Sequence, residues 1–223
     1  MPRRQKPARP GRPRSVAGSD VREKLLDAAV MRFAREGIAA TSTAKIAGDA
    51  GVTAAMVHYY FKSRESLLDA VAEERLLRNV NAVWAPVAEG DRGAADLVRG
   101  LVQRIMSAGQ SQPWLPTLWL REVVSEGGHL RERLISRLPL AYVQKLLSSL
   151  AQAQRRGEMN SDVEPRLVMI SLIGLTLLPL ATMNIWRSVP PLKGVTSGAL
   201  ARHAEALLLH GLFPKTSKAG RHR

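Results

Sequence analysis

One stretch of this chain constrains its fold more than the rest together: TSTAKIAGDAGVTAAMVHYYFKSRESL, from Thr41 to Leu67. It reads as two short helices around a tight turn, followed by a polar hinge and the start of a longer helix. Ala47 is small enough to let a second helix cross close by. Ala50-Gly51-Val52 is the turn, because Gly51 adopts without penalty the positive φ that ends a helix. Ile46, Val52 and Val57 supply the apolar contacts between the two helices. Thr53 is expected to cap the second helix with its hydroxyl, leaving Ala54, Ala55, Met56, His58, Tyr59 and Tyr60 along its exposed start and flank. This is the pattern of a helix-turn-helix, whose second helix enters the DNA major groove by its N-terminal end.

Around this motif the periodicity predicts helices throughout. Ser19 or Asp20 opens a first helix with the apolar stripe Leu25, Leu26, Ala29, Val30 and Phe33, and Gly37 stops it. Ser63 caps a long helix through Leu67, Leu68, Val71, Leu76, Leu77 and Val80, expected to end before Pro86. Further helices are expected at about 91–109, 114–126, 130–156, 163–186 and 197–210, with Asp162 capping the fourth of these. Pro139 and Pro179 predict a break or kink. No alternating run bounded by hairpin turns is present, so no sheet is expected. The fold class is all-α: an N-terminal three-helix helix-turn-helix domain plus a C-terminal helical domain. The expected division is a disordered basic arm over 1–18, the helix-turn-helix domain over 19–66, a second helical domain over 67–214, and a basic tail over 215–223.

Charge is concentrated at the ends. Of the net +14, the first nineteen residues contribute six through Arg3, Arg4, Lys6, Arg9, Arg12 and Arg14, and the last nine contribute four through Lys215, Lys218, Arg221 and Arg223. Such arms seek polyanions. No cysteine is present, which removes disulfides, thiolate metal sites and cysteine nucleophiles. No apolar run follows the basic N-terminus as a signal peptide requires, so a cytoplasmic location is expected. The 20 uncharged residues between Arg166 and Arg187 approach membrane-spanning length. Their Ser171, Gly174, Thr176, Pro179, Thr182 and Asn184 favour a buried helix over a span, so no membrane partner is expected.

Residues 22–68 resemble the DNA-binding domain of the tetracycline-repressor (TetR) family of bacterial regulators. The matching elements run in order: Leu25/Leu26-x-Ala28-Ala29-xxx-Phe33-xxx-Gly37, Thr43-xx-Ile46-Ala47-xx-Ala50-Gly51-Val52, and His58-Tyr59-Tyr60-Phe61-xx-Arg64-Glu65-xx-Leu68. The resemblance implies a homodimer, a palindromic operator, and a C-terminal domain that binds a small molecule and dimerises. Ligand binding would move the helix linking the domains, spread the two recognition helices and release the operator. Repression is the family's usual mode. A tyrosine is commoner at the position of His58 and a lysine at that of Arg64.

The reading turn is short of bidentate base readers, which are Arg, Lys, Asn or Gln. Ala54, Ala55 and Met56 are suited to thymine methyls, and Tyr59 is the best base-edge candidate, assisted by Lys45 or Ser42. Thr43, Thr53, His58, Tyr60, Lys62 and Arg64 are expected at phosphates. Phe61 is expected in the core. The domain itself is nearly neutral, so the segment Arg9-Pro10-Gly11-Arg12-Pro13-Arg14, which resembles an AT-hook core, is expected to place Arg12 and Arg14 in a narrow minor groove.

Beyond the motif lie all four tryptophans, Trp84, Trp114, Trp119 and Trp186. With Met106, Tyr142, Met169, Leu175 and Met183 they are the candidate lining of an effector pocket, which needs apolar walls with few polar groups. Pro179 frees the carbonyl of Leu175. With no charge in 167–186, a lipophilic effector is expected. Residues of about 163–186 and 197–211, with the stripe Leu200, Ala204, Leu207, Leu208 and Gly211, are expected to form the homodimer. The histidines are scattered and no phosphate-cradling loop or activated-serine motif occurs, so no enzyme, metal or cofactor is expected. The chain therefore reads as a ligand-responsive regulator; the alternative is an architectural DNA-coating protein that senses nothing.

Overall fold

The computed structural model describes residues 14–88 and 93–214, with side chains from Asp20 onward. Helix α1 (Arg14–Glu36) begins before the Ser19 or Asp20 expected to open it. Its stripe of Leu25, Leu26, Ala29, Val30 and Phe33 is fully buried. Gly37, at φ +85°, ends the helix by donating its N–H to the Phe33 carbonyl at 2.9 Å. Helices α2 (Thr43–Asp49) and α3 (Ala54–Phe61) form the expected pair. Gly51 takes φ +70° in the turn, and the Val52 N–H reaches back to the Ala47 carbonyl at 2.9 Å. Ile46, Ala47, Val57 and Phe61 are buried against α1. The two caps behave differently. Ser42 accepts the Lys45 N–H at 3.3 Å, whereas Thr53 has the extended backbone of a cap but no side-chain bond.

Ser63 caps α4 (Arg64–Val71), accepting the Ser66 N–H at 3.1 Å. The helix continues through a π-helical segment, Ala72–Leu77, into α5 (Arg78–Ala88). Pro86 lies inside α5 rather than beyond its end; lacking an N–H, it gives up the one helical bond it would have made to the Ala82 carbonyl. Within the π segment the Arg75 carbonyl is taken by the side-chain amide of Asn79 at 2.7 Å.

The remaining helices are α6 (Ala94–Ser111), α7 (Trp114–Trp119), α8 (Arg131–Ile135), α9 (Leu140–Arg155), α10 (Val168–Ala181), α11 (Met183–Ser188) and α12 (Ser197–Leu212). A second π-helical segment, Leu120–Val124, follows α7. No strand occurs among the described residues. The expected helix over 130–156 is split where Pro139 precedes α9. That over 163–186 becomes a 3-10 turn, α10 and α11, with the break at Thr182 rather than Pro179. Glu164, not Asp162, supplies the cap, accepting the Arg166 N–H at 3.2 Å. No helix of the described residues is long and apolar enough to cross a membrane.

Two hydrophobic cores result. The first joins α1–α4 and the π segment to Leu115, Leu118, Val123, Leu130 and Leu134, so α7 and α8 close the floor of the helix-turn-helix unit. The second gathers α5, α6, α9, α10 and α12. Each fully buried leucine or phenylalanine in such a core contributes about 1.5–3 kcal/mol.

Candidate nucleic-acid interface and effector cavity

The surface offered by α2 and α3 follows from their packing. With Val57 and Phe61 turned inward, the opposite side of α3 presents Ala54, Ala55, His58 and Tyr59 to solvent. Tyr59 is 73% exposed and leans edge-on against Tyr60, their ring centroids 5.1 Å apart. Tyr60 and Met56 are half-buried, and Tyr60 packs on the first core. Ser42 and Thr53 are exposed and Thr43 half-buried. The opening turn of α3 is apolar, with Ala54 and Ala55 exposed. Arg12 and the side chain of Arg14 lie outside the described residues.

Three of the cations take up particular positions. Lys45 lies at the edge of the face, its Nζ donating to Glu36 at 3.0 Å and to the Ala40 carbonyl at 3.1 Å. Arg64, expected to reach a phosphate, is half-buried. It donates through Nη1 to the Thr41 carbonyl at 2.5 Å and through Nη2 to the Ile38 carbonyl. In this conformation it therefore braces the loop before α2. Lys62 is exposed and is the one non-glycine at positive φ among the described residues (φ 59°, ψ −44°). The Ser63 N–H meets the Phe61 carbonyl across it at 2.6 Å. That is a γ-turn of the rare, strained hand, and it sits at the joint between α3 and α4.

Ion pairs bracket the linking helix on both sides. Toward α1, Arg22 pairs with Glu74 at 2.5 Å, and Arg75 pairs with Glu23 at 2.8 Å and Asp27 at 2.9 Å. Toward α8, Arg133 pairs with Asp69 at 2.7 Å and with Glu65. The hydrogen bond from Arg22 holds the Glu74 carboxyl below its usual range, against the opposing effect of burial.

The second core contains a cavity of about 140 Å³ lined by residues of α5, α6, α7, α9 and α10. Of the expected lining residues, Trp84, Trp119 and Met169 are there. Met106 is buried within the core, Tyr142 and Leu175 pack on it, and Trp114 packs on the first core. None of these four reaches the cavity wall, and neither does half-buried Met183. Trp186 is 42% exposed, its indole N–H donating to Thr182 at 2.8 Å. The rest of the wall is aliphatic, including Val83, Leu101, Ile105, Val143 and Ile173. Leu115 belongs both to this wall and to the first core, and Trp119 packs on both cores.

The expected dimer stripe divides. Ala204 and Leu208 are buried within the chain's own second core and Leu200 packs on it, whereas Leu207 and Gly211 are exposed. On α10, Ile170, Gly174 and Leu178 form an exposed line at helical spacing.

An exposed helix, α3, whose inner side is packed into the first core defines a helix-turn-helix DNA-binding unit. Residues 25–71 match the family described as bacterial regulatory proteins, tetR family. It is 33% identical over 133 residues to the HTH-type transcriptional regulator BetI of Rhizobium meliloti, spanning 58% of this chain and 62% of that one. It is 32% identical over 91 residues to the nicotine-responsive transcriptional repressor HdnoR of Paenarthrobacter nicotinovorans, spanning 41% and 44%. Matched regions thus cover less than two thirds of either relative. The fold resembles that of FadR from Bacillus subtilis, solved in complex with stearoyl-CoA, with TM-score 0.64 and 20% identity over 85% of this chain and 98% of that one.

Proposed function

We propose that this chain is a transcriptional repressor that binds a palindromic operator as a homodimer and is released by a small, largely apolar effector held in the cavity of the second core. The observation that carries this reading is the shared wall: Leu115 lines the cavity and is part of the core on which the helix-turn-helix is built. A molecule that widens the cavity acts on the footing of the DNA-binding unit without crossing the protein.

On this reading α3 enters the major groove, with Ala54, Ala55 and Met56 against thymine methyls and Tyr59 at a base edge. Thr43, Thr53, His58, Tyr60 and Lys62 position the protein on phosphates, and Arg12 and Arg14 add minor-groove contacts. Lys45 and Arg64 act first on the protein, holding the loop that aims α2. Two copies meet through the exposed faces of α10 and α12. The apolar wall supports a largely apolar effector, and one relative is a nicotine-responsive repressor.

The test is selection of bound DNA from a random library with the full chain, followed by footprinting. Enrichment of one palindrome supports the repressor reading. Indiscriminate protection supports the architectural alternative and removes this one.

A further inference from the structure

Asn79 is the one amide side chain of a wall whose other polar side-chain groups are the indole N–H donors of Trp84 and Trp119 and the weakly accepting Met169 sulfur. Its amide is fixed from two sides. Nδ2 donates to the Arg75 carbonyl at 2.7 Å and to Gln112 Oε1 at 3.1 Å, while Oδ1 accepts from Gln112 Nε2 at 2.7 Å. A backbone carbonyl only accepts, so the contact with Arg75 sets which end of the amide is nitrogen. Both N–H groups are then used, whereas an amide oxygen has two lone pairs and only one is engaged. What Asn79 has left to offer is an acceptor.

We propose that the effector is a compact, mainly apolar molecule carrying one hydrogen-bond donor, a hydroxyl or N–H, and that Asn79 Oδ1 is the group that recognises it. This rests on the reading of the cavity as the effector site. At about 140 Å³ the cavity is near the size of the roughly 150 Å³ engineered hole that takes up benzene. A single substituted ring is therefore the scale of ligand it holds without widening. A wholly apolar ligand leaves the spare lone pair without a partner; a charged one meets no countercharge on the wall. Recognition at this position also touches the linking helix. The same amide ties down the Arg75 carbonyl inside the π-helical segment, and the Arg75 guanidinium grips Glu23 and Asp27 of α1. π-Helical turns of this kind are frequent at functional sites.

The experiment uses p-xylene and p-cresol, which have nearly the same shape and differ by a methyl against a hydroxyl. Their affinities for the full-length protein and for Asn79→Leu are measured by calorimetry. The affinity ratio of p-cresol to p-xylene is expected to fall about five- to tenfold in the variant, the worth of one hydrogen bond. An unchanged ratio, with both ligands still bound, overturns the role of Asn79 and leaves the cavity as an effector site. Failure of both ligands to bind the wild-type protein removes the effector-cavity reading together with this inference. A wild-type crystal soaked in p-cresol decides the matter without the variant. A phenolic oxygen within about 3.0 Å of Oδ1 supports the proposal, and one directed elsewhere overturns it.

Discussion

The carboxylate of Glu122, only 4% exposed, accepts the backbone N–H of Ile38 at 2.9 Å across 84 residues of sequence. Its other oxygen takes the backbone N–H of His129 at 3.2 Å and the ring Nδ1 at 3.1 Å. The carbonyl of the same Ile38 is held by Arg64. The loop before α2 is thus gripped from the second π-helical segment on one side and from the head of the linking helix on the other. Glu122→Ala leaves buried donors without partners, which costs about 1–3 kcal/mol each at such sites. Amide exchange at Ile38 should accelerate markedly in that variant, and less in Glu122→Gln, which keeps one acceptor. Equal protection at Ile38 in Glu122→Ala and wild type would show that the contact carries no stability.

Lys62 carries two opposed effects. Its positive φ strains an L residue, so Lys62→Gly should raise stability by about 1 kcal/mol, measured by denaturant unfolding. The same change removes a proposed phosphate contact, and the logarithmic salt slope of operator binding should flatten by about 0.9. A variant that is both stabilised and unaltered in its salt slope would keep the strained joint and discard the phosphate role.

Acid should loosen the bracket between α1 and the linking helix. The Glu74 carboxyl is depressed by the Arg22 hydrogen bond, so its folded value lies below its unfolded one. The stability it contributes is complete above the ordinary carboxylate range and disappears as pH falls through the depressed folded value. Glu74→Gln should therefore melt below wild type at pH 7, by no more than about 1 kcal/mol for so exposed a pair. The two curves should converge once the pH has fallen below that depressed value. A gap that persists at low pH would mean that the contact is not ionic.

Charge placed on the proposed dimer face should split the dimer. The double substitution Ile170→Glu with Leu207→Glu puts two carboxylates per copy on exposed positions, with little cost to the monomer. Sedimentation should show a folded monomer at micromolar concentration. A dimer that survives both changes uses another surface.

Removing residues 1–13, which carry five of the positive charges, should weaken operator binding. Its salt slope should flatten by about 0.9 for each phosphate that the arm no longer neutralises. An unaltered slope would take the arm out of the interface.

The helix-turn-helix was legible because its determinants are local. Gly51 at the turn, Ile46 and Val57 at the crossing and the stripe of α1 lie within one helix or turn of what they act on. Glu122 was not legible, although it is the sole acid between Asp96 and Glu126. Beside Arg121 it reads as half of a surface pair, and only the tertiary fold brings Ile38 to it. The bracing contacts of Arg64 were not legible for the same reason: the carbonyls it holds belong to a loop before α2. Within the cavity, Trp84, Trp119 and Met169 were found because large or soft apolar side chains draw notice. Val83, Leu101 and Ile173 look like any core aliphatic until the gap beside them is seen. The break in the long apolar segment fell at Thr182, whose hydroxyl donates to the Leu178 carbonyl at 2.7 Å. Pro179, the more conspicuous residue, stays inside α10.

The double membership of Leu115 limits how such a protein can change its chemical taste. A substitution there that reshapes the cavity also unsettles the floor beneath the DNA-reading helices, so it is tested at once for stability and for operator affinity. Val143 and Ile173 belong to the cavity wall without belonging to that floor. If the cavity holds the effector as proposed, ligand range can drift on their side while DNA recognition is left alone, and a search for variants that answer to new effectors should begin there.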